Sequence, residues 1–453
     1  MKRRQLLQHL ALYSGGAALG LNLLGQRVLA SAGADAQYPI FSGHHFLPRA
    51  KRVLFIWQQG GMSPYESFEN KSILYRLNDT SPAKYKGQCS VACLKPIYPF
   101  APQGQSGIEM SDRFPHLAGV IDEMTVIKTL QNFAPAHPQA SNFLFTGERL
   151  NDKPSLGAWV NYALGSDNPH LPGFVSLGGA DNISNGFLPS DLHGVYFETE
   201  GNALDFLERP ERISAAQQRS AVEQVAQLDR LYAGRSGDTK GLAHGNVFEL
   251  AHKMQSSIPA VLNLDDEPDY LREDYGLNDD ATKTMGTNLL SARRLLESGI
   301  RFVRVTDPGW DHHSGLDTQF PVKARGIDRP LSALIRDLKQ RGMLDDTLVV
   351  VAGEFGRTPF NEGKIIGGFG RGHNPDAGIV LLAGAGIRKG SVYGETDEFG
   401  FDTVKDPVNV NDLNATILYA LGIDHMRLTY ELGGRTFKPT GVGECRVVRE
   451  LFA

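Results

Sequence analysis

An α/β fold, a mostly parallel sheet covered by helices on both faces, is what this sequence predicts. Short β-branched or apolar runs end abruptly at turn residues, helical patterns alternate with them, and the residues just past the run ends are unusually polar. The first run, Arg52 to Trp57, stops at Gln58-Gln59-Gly60-Gly61, and the second is Thr125 to Leu130. Helical spacing follows over Leu156 to Leu164, Ala215 to Tyr232 and Lys283 to Glu297. Ile300 to Thr306, a helix over Leu331 to Arg341, a turn at Gly342 to Asp346 and Thr347 to Ala352 read as a βαβ crossover. Ala377 to Leu382 is a fifth strand candidate, and Asp412 to Leu421 closes the series as a helix. Residues from about 208 to 280 are rich in Gln, Arg, Asp and Glu with few strand formers, which predicts a helical insertion beside the sheet.

The chain has 453 residues, 46 Lys+Arg against 51 Asp+Glu and a net charge of -5, without a dense basic tract. That balance argues against a nucleic-acid partner, because binding phosphates needs a basic stripe. Three cysteines exclude a disulfide framework, and Cys89-x3-Cys93 with no second pair is weak evidence for zinc; the pair either closes a small loop after export, leaving Cys445 unpaired, or, as favoured, all are plain thiols.

Residues 1–30 read as an export signal: Lys2, Arg3 and Arg4 precede a modest apolar stretch, Ala11 to Leu24, and small residues follow at Ala30-Ser31-Ala32. The Arg3-Arg4 pair and the weakly apolar core point to the twin-arginine route, hence to a periplasmic or secreted protein. The stretch is too short and too interrupted to be a stable membrane span. Residues 31–453 then read as one elaborated domain.

In an open α/β sheet, ligands bind past the carboxyl ends of the strands, so the residues there are the site candidates. They are Ser63 after the first run, His137 and Ser141 after the second, Asp311, His312 and His313 after the third, and Glu354, Arg357 and His373 after the fourth. Mixed carboxylate and imidazole donors suit a divalent metal, and the set read as ligands is Asp311, His313, Glu354 and His373. Zinc, manganese and calcium are the candidate ions. His137 is a ligand, a general base or a nucleophile, and Ser63 and Ser141 are reserve nucleophiles. Arg357 offers a planar fork for a phosphate or sulfate oxygen, as does Arg371, and either equally pairs with a nearby carboxylate. Arg293-Arg294, on a helix, reads as a solvated or salt-bridged face.

Gly60-Gly61-x-Ser63, Phe143-Leu144-Phe145-Thr146-Gly147-Glu148, Ser291-Ala292-Arg293-Arg294-Leu295, Gly309-Trp310-Asp311-x-His313, Gly353-Glu354-Phe355-Gly356-Arg357-Thr358-Pro359 and Tyr393-Gly394-x-Thr396-Asp397-Glu398-Phe399-Gly400 occur in that order. Together they resemble the bacterial family called domain of unknown function 1501, which is similar to the alkaline-phosphatase and sulfatase superfamily. The resemblance implies a three-layer α/β/α fold and metal-assisted hydrolysis of a phosphate or sulfate ester on a small molecule or polysaccharide. Neither Cys-x-Pro-x-Arg nor Ser-x-Pro-x-Arg occurs, so a formylglycine mechanism has no residue to act on. Counted back from Thr146-Gly147, the superfamily's nucleophile position is His137.

Two departures stand out. Gly370-Arg371-Gly372-His373 replaces the relatives' Gly-Arg-Asp-His, and Val408-Asn409-Val410-Asn411-Asp412-Leu413-Asn414 has asparagines where they carry histidines. The asparagines either shift a metal site toward a harder ion or cap the helix that starts near Asp412. Lost ligands keep a second function open, a non-catalytic module whose cleft holds an anionic glycan or a partner protein.

Overall fold

The computed structural model describes residues 43–82, 92–149, 153–199, 209, 211–236, 240–363, 367–441 and 443–453. Residues 1–30, expected to be an export signal, and Cys89 lie outside the described residues. Cys445 is a free thiol.

The chain divides into two units. In one, which includes residues 208–255, two helices form a hairpin. Gln218 donates to Gln255 over 2.7 Å, and Gly245 faces Ala226 and Asp229. The insertion is helical as expected, but its unit stops at Gln255, and residues 256–280 go with the sheet.

The other unit, 41–207 with 256–453, holds a nine-stranded sheet. Its strands are β1 (Arg52–Gln58), β2 (Met124–Gln131), β3 (Phe174–Leu177), β4 (Val195–Phe197), β5 (Phe302–Asp307), β6 (Thr347–Ala352), β7 (Gly378–Ala383), β8 (Ser391–Tyr393) and β9 (Val408–Asn409). They lie in the order β8-β2-β7-β6-β1-β5-β3-β4, with β9 also on β2. Only β7 is antiparallel to its neighbours β2 and β6. The reversal matters for the site, because the start of β7 lies at the edge where the other strands end.

The helices of this unit include α1 (His137–Thr146), α2 (Leu156–Leu164), α3 (Lys283–Glu297), α4 (Leu316–Gln340) and α5 (Val410–Ala420). Alternation sorts the β1 side chains: Val53, Phe55 and Trp57 join one core with Leu144 and Phe145 of α1, Trp159 of α2 and Leu413 of α5. Leu54 and Ile56, pointing the other way, are buried as well, on the face that α3 and α4 cover. The result is the three-layer α/β/α arrangement.

Three elements differ from expectation. α4 starts at Leu316, well before Leu331, and runs through Pro321 and Pro330. Its buried stripe, Leu316, Phe320, Ala324, Ile327, Leu331 and Leu338, continues across both prolines, so packing outweighs their cost. β3 and β4 are too short to leave a periodic signal. α5 begins with Asn409 as its cap, in a reciprocal capping box with Asp412, and Asn411 donates to the Gly147 carbonyl over 3.3 Å. The asparagines therefore serve the helix start, as the capping alternative expected.

Candidate metal centre

β1, β2, β5 and β6 all end at one edge, and β7 begins there, so five loops converge. Gly60, in the turn after β1, lies in the left-handed region with φ 111°, and a Cβ there would stand 2.5 Å from the Asp311 amide nitrogen. Only glycine allows the loop after β5 to pass this close. Asp307, the last residue of β5, anchors that loop by accepting from Trp310 Nε1 at 2.8 Å and Lys323 Nζ at 2.7 Å. Gly370 is equally constrained, since a Cβ would run into the His313 carbonyl.

These close approaches gather His137, Asp311, His313 and His373, each offering one ligand atom, with all four atoms within 4.8 Å of one another. Among the described residues it is the one such group. His137 Nε2 is 3.1 Å from Asp311 Oδ2. His313 Nε2 and His373 Nε2 are 2.9 and 3.2 Å from Asp311 Oδ1, and 2.9 Å from each other.

Each imidazole is held from behind. His137 Nδ1 lies 2.7 Å from Glu354 Oε1, His313 Nδ1 2.6 Å from Glu362 Oε2, and His373 Nδ1 2.6 Å from the Pro135 carbonyl. A carbonyl only accepts, so His373 Nδ1 carries the hydrogen, and ionised carboxylates impose the same tautomer on the other two rings. In the neutral rings all three Nε2 atoms then present lone pairs to a carboxylate. That is repulsive unless a cation or extra protons lie between them. His137 Nε2, buried and close to Asp311, has no partner in hydrogen-bond geometry, as expected of an atom aimed at an ion. The residues fit a divalent metal.

Electrostatics agree. The close approach of the Asp311 carboxylate and then the hydrogen bond to Glu354 outweigh burial and push His137 up to about 9. His313 is also raised, by Asp311 first and by Glu362, against burial. Burial of Asp311 opposes its charge, but the three histidines and the Arg357 guanidinium outweigh it and hold the carboxyl far below the carboxylate range. Without a metal, the rings of His137 and His313 favour the protonated form. Phe355 packs its ring 4.3 Å from that of His373 and 4.9 Å from that of His137, an apolar wall.

Several expected roles change. Glu354 is read from sequence as a ligand, but it is fully buried and its carboxylate is taken by Trp57 Nε1 at 3.0 Å, the Gly60 amide at 3.0 and 3.1 Å, and His137. It directs His137, which takes the place in the cluster. Arg357 does not reach out as an anion fork. It is buried, donating to the carbonyls of Gly60, Gly61 and Arg371 and to Asp311 Oδ1 at 2.6 Å. Arg371 is consumed by Glu66, with its Nε and Nη2 at 2.9 and 2.8 Å from the two carboxylate oxygens. Ser63 is buried and donates to that same Glu66. Ser141 donates to the His137 carbonyl at 2.8 Å, one turn into α1. The ring of His312 turns away between Trp310 and Phe320, where burial lowers it to about 4. Arg293 is a buried ion-pair hub for Glu267, Glu297 and Asp337, so the salt-bridged reading of its helix holds and the solvated one does not.

Sequence reasoning took Glu362 only as a partner for Arg357 or Arg371, and it missed both that carboxylate's place behind His313 and the Pro135 carbonyl. A signal existed for Glu362, since a metal-ligating histidine needs an acceptor behind it and this carboxylate lies between the Arg357 and His373 segments.

No helix among the described residues is long and apolar enough to cross a membrane. The profile of a family described as "Protein of unknown function (DUF1501)" matches residues 50–452. No curated protein matches the chain. Solved structures similar to it include Ps i-CgsB in complex with k-i-k-neocarrahexaose, at 12% identity over 82% of this chain and 72% of that one, TM-score 0.37. The PsFucS1 sulfatase from Pseudoalteromonas sp. is 12% identical over 83% of this chain and 68% of its own, TM-score 0.37. A magnesium-bound mutant of TAB5 alkaline phosphatase is 11% identical over 83% and 99%, TM-score 0.34.

Proposed function

The chain belongs to the DUF1501 family, and on that footing we propose that it is a hydrolase of phosphate or sulfate esters that works with one divalent metal ion held by His137, His313, His373 and Asp311. The observation that carries this is the convergence of three Nε2 atoms on one carboxylate while every Nδ1 is tied from behind. Three nitrogens and one oxygen suit zinc or manganese and do not suit calcium, which takes oxygen ligands. A bound ion of this kind polarises an ester oxygen and brings the pKa of coordinated water near neutrality.

The protein's own part is to orient and exclude. Glu354, Glu362 and Pro135 fix the three tautomers. Arg357 spends its donors on backbone and Asp311, so it contributes by holding Asp311 in place and by its charge. Phe355 keeps water off one side. Ser63 and Ser141 give their protons to Glu66 and to backbone, which favours attack by water over a covalent ester. We also propose export by the twin-arginine route; secretion unchanged by Arg3-Arg4→Lys-Lys would refute it.

The test is metal analysis of the purified protein together with hydrolysis of 4-nitrophenyl phosphate and 4-nitrophenyl sulfate. One metal per chain, lost together with activity in His313→Ala, is the expected result. Metal-free, inactive protein that binds a sulfated glycan would establish the binding module instead.

A further inference from the structure

Beside the cluster lies a cavity of about 400 Å³, within the usual range for small-molecule sites. It adjoins the cluster through the chain itself. Gln59 in its wall precedes Gly60, Pro138 follows His137, and Ser141 hydrogen-bonds the His137 carbonyl.

The wall chemistry restricts the occupant. Apart from Trp57, Pro138, Lys153 and Asp181, every lining residue carries an uncharged hydroxyl or carboxamide. Such a wall discourages an apolar ligand. One lysine and one aspartate balance in charge, which discourages a polyanion. What remains is a molecule dense in hydroxyl groups that both donate and accept.

A second observation comes from behind Trp57. Arg304 is 0% exposed, its guanidinium lies 5.5 Å from the centre of the Trp57 ring, and its Nη1 has no hydrogen-bond partner. Its donors reach only Ser176 and the Gly179 carbonyl, with no carboxylate at ion-pair distance. Burial lowers it to about 9, and the acid that opposes this is Asp181 of the cavity wall. An uncompensated buried cation is costly. Here the Asp181 carboxylate of the wall opposes it, so the charge around the cavity stays balanced for a hydroxyl-rich ligand.

We propose that this cavity seats the sugar ring of a saccharide ester, with the ester group directed toward His137. The inference rests on the reading of the cluster as a hydrolytic centre, but the cavity is testable without it. Metal-stripped protein is titrated with D-galactose 6-sulfate, D-glucose 6-phosphate and maltose, with binding followed by ligand-observed NMR.

At least one probe binds with a Kd on the order of 1 mM. Asp181→Ala weakens that binding about tenfold, and Ser184→Trp abolishes it by filling the cavity. Asp181 is exposed, so its substitution does not threaten folding. Failure of all three probes at roughly 50 mM, or binding indifferent to both cavity variants, overturns the proposal. Intact sugar binding in a protein without metal or activity overturns the hydrolase reading of the cluster alone. Aryl-ester hydrolysis with no sugar binding overturns the cavity alone.

Discussion

Two polar clusters lie on the same loops and differ in one respect. Around Arg371 every donor has an acceptor: two reach the Glu66 carboxylate, others the carbonyls of Leu94, Thr358 and Lys95, and the Tyr65 ring stacks at 4.5 Å. Around Asp311 the pairing does not close, because three nitrogens with lone pairs face a carboxylate. The first cluster is complete as protein. The second requires protons or a metal, which separates a structural network from a functional one more reliably than the types of residue it contains.

Stability measurements give the largest effect. Glu66→Ala leaves the Arg371 guanidinium buried without its counter-ion and costs about 3–5 kcal/mol in chemical denaturation of the metal-free protein. His313→Ala in the same experiment removes only a partly exposed ring and costs far less, and in a separate titration it abolishes metal binding. Equal losses from both would erase the distinction between the clusters.

The next effect is on affinity. Glu354→Gln keeps shape and hydrogen bonds but no longer imposes the His137 tautomer, and it weakens zinc binding by about 10–100-fold. Competition with a chromophoric chelator measures this. An unchanged zinc Kd would mean that Glu354 is only a structural acceptor for Trp57 and Gly60.

How much of this was legible in the sequence depends on what strand ends can encode. Which residues reach the sheet edge was readable, because polar loops followed each β-branched run, and His137, Asp311, His313 and His373 all came from that reading. Their division of labour was not. Glu354 follows β6 almost directly and so sits on the floor, fully buried, whereas Asp311 stands further along its loop, exposed and within reach of an ion. Arg357 and Arg371 could not be told from anion clamps, because the backbone carbonyls that absorb their donors belong to loops brought near only by the fold. His373 was assigned to the loop after β6, and its position follows from β7 running backwards. The helix α4 was cut short because its prolines are local signals, while the apolar stripe that overrides them is a tertiary one.

The smallest effect is a pH dependence, and it would show whether the open cluster is closed by protons when metal is absent. His137 is raised from 6.5 to about 9 in the folded chain. A group raised on folding contributes stability that is fully present below its unfolded value and lost as pH rises through the folded one. Metal-free protein should therefore lose thermal stability progressively between pH 6.5 and about 9, with His313 acting in the same direction. Zinc competes with these protons, so its binding tightens over that window, by up to about tenfold per pH unit for each proton released. The Arg371–Glu66 pair is separate from the histidine cluster, so Glu66→Ala lowers the whole curve without changing its slope. Asp311→Asn weakens the partner that raises His137 most, and it should flatten the metal-free curve. A slope that survives Asp311→Asn would place the titrating group outside the cluster, and the repulsion inferred at its centre would have to be relieved in some other way.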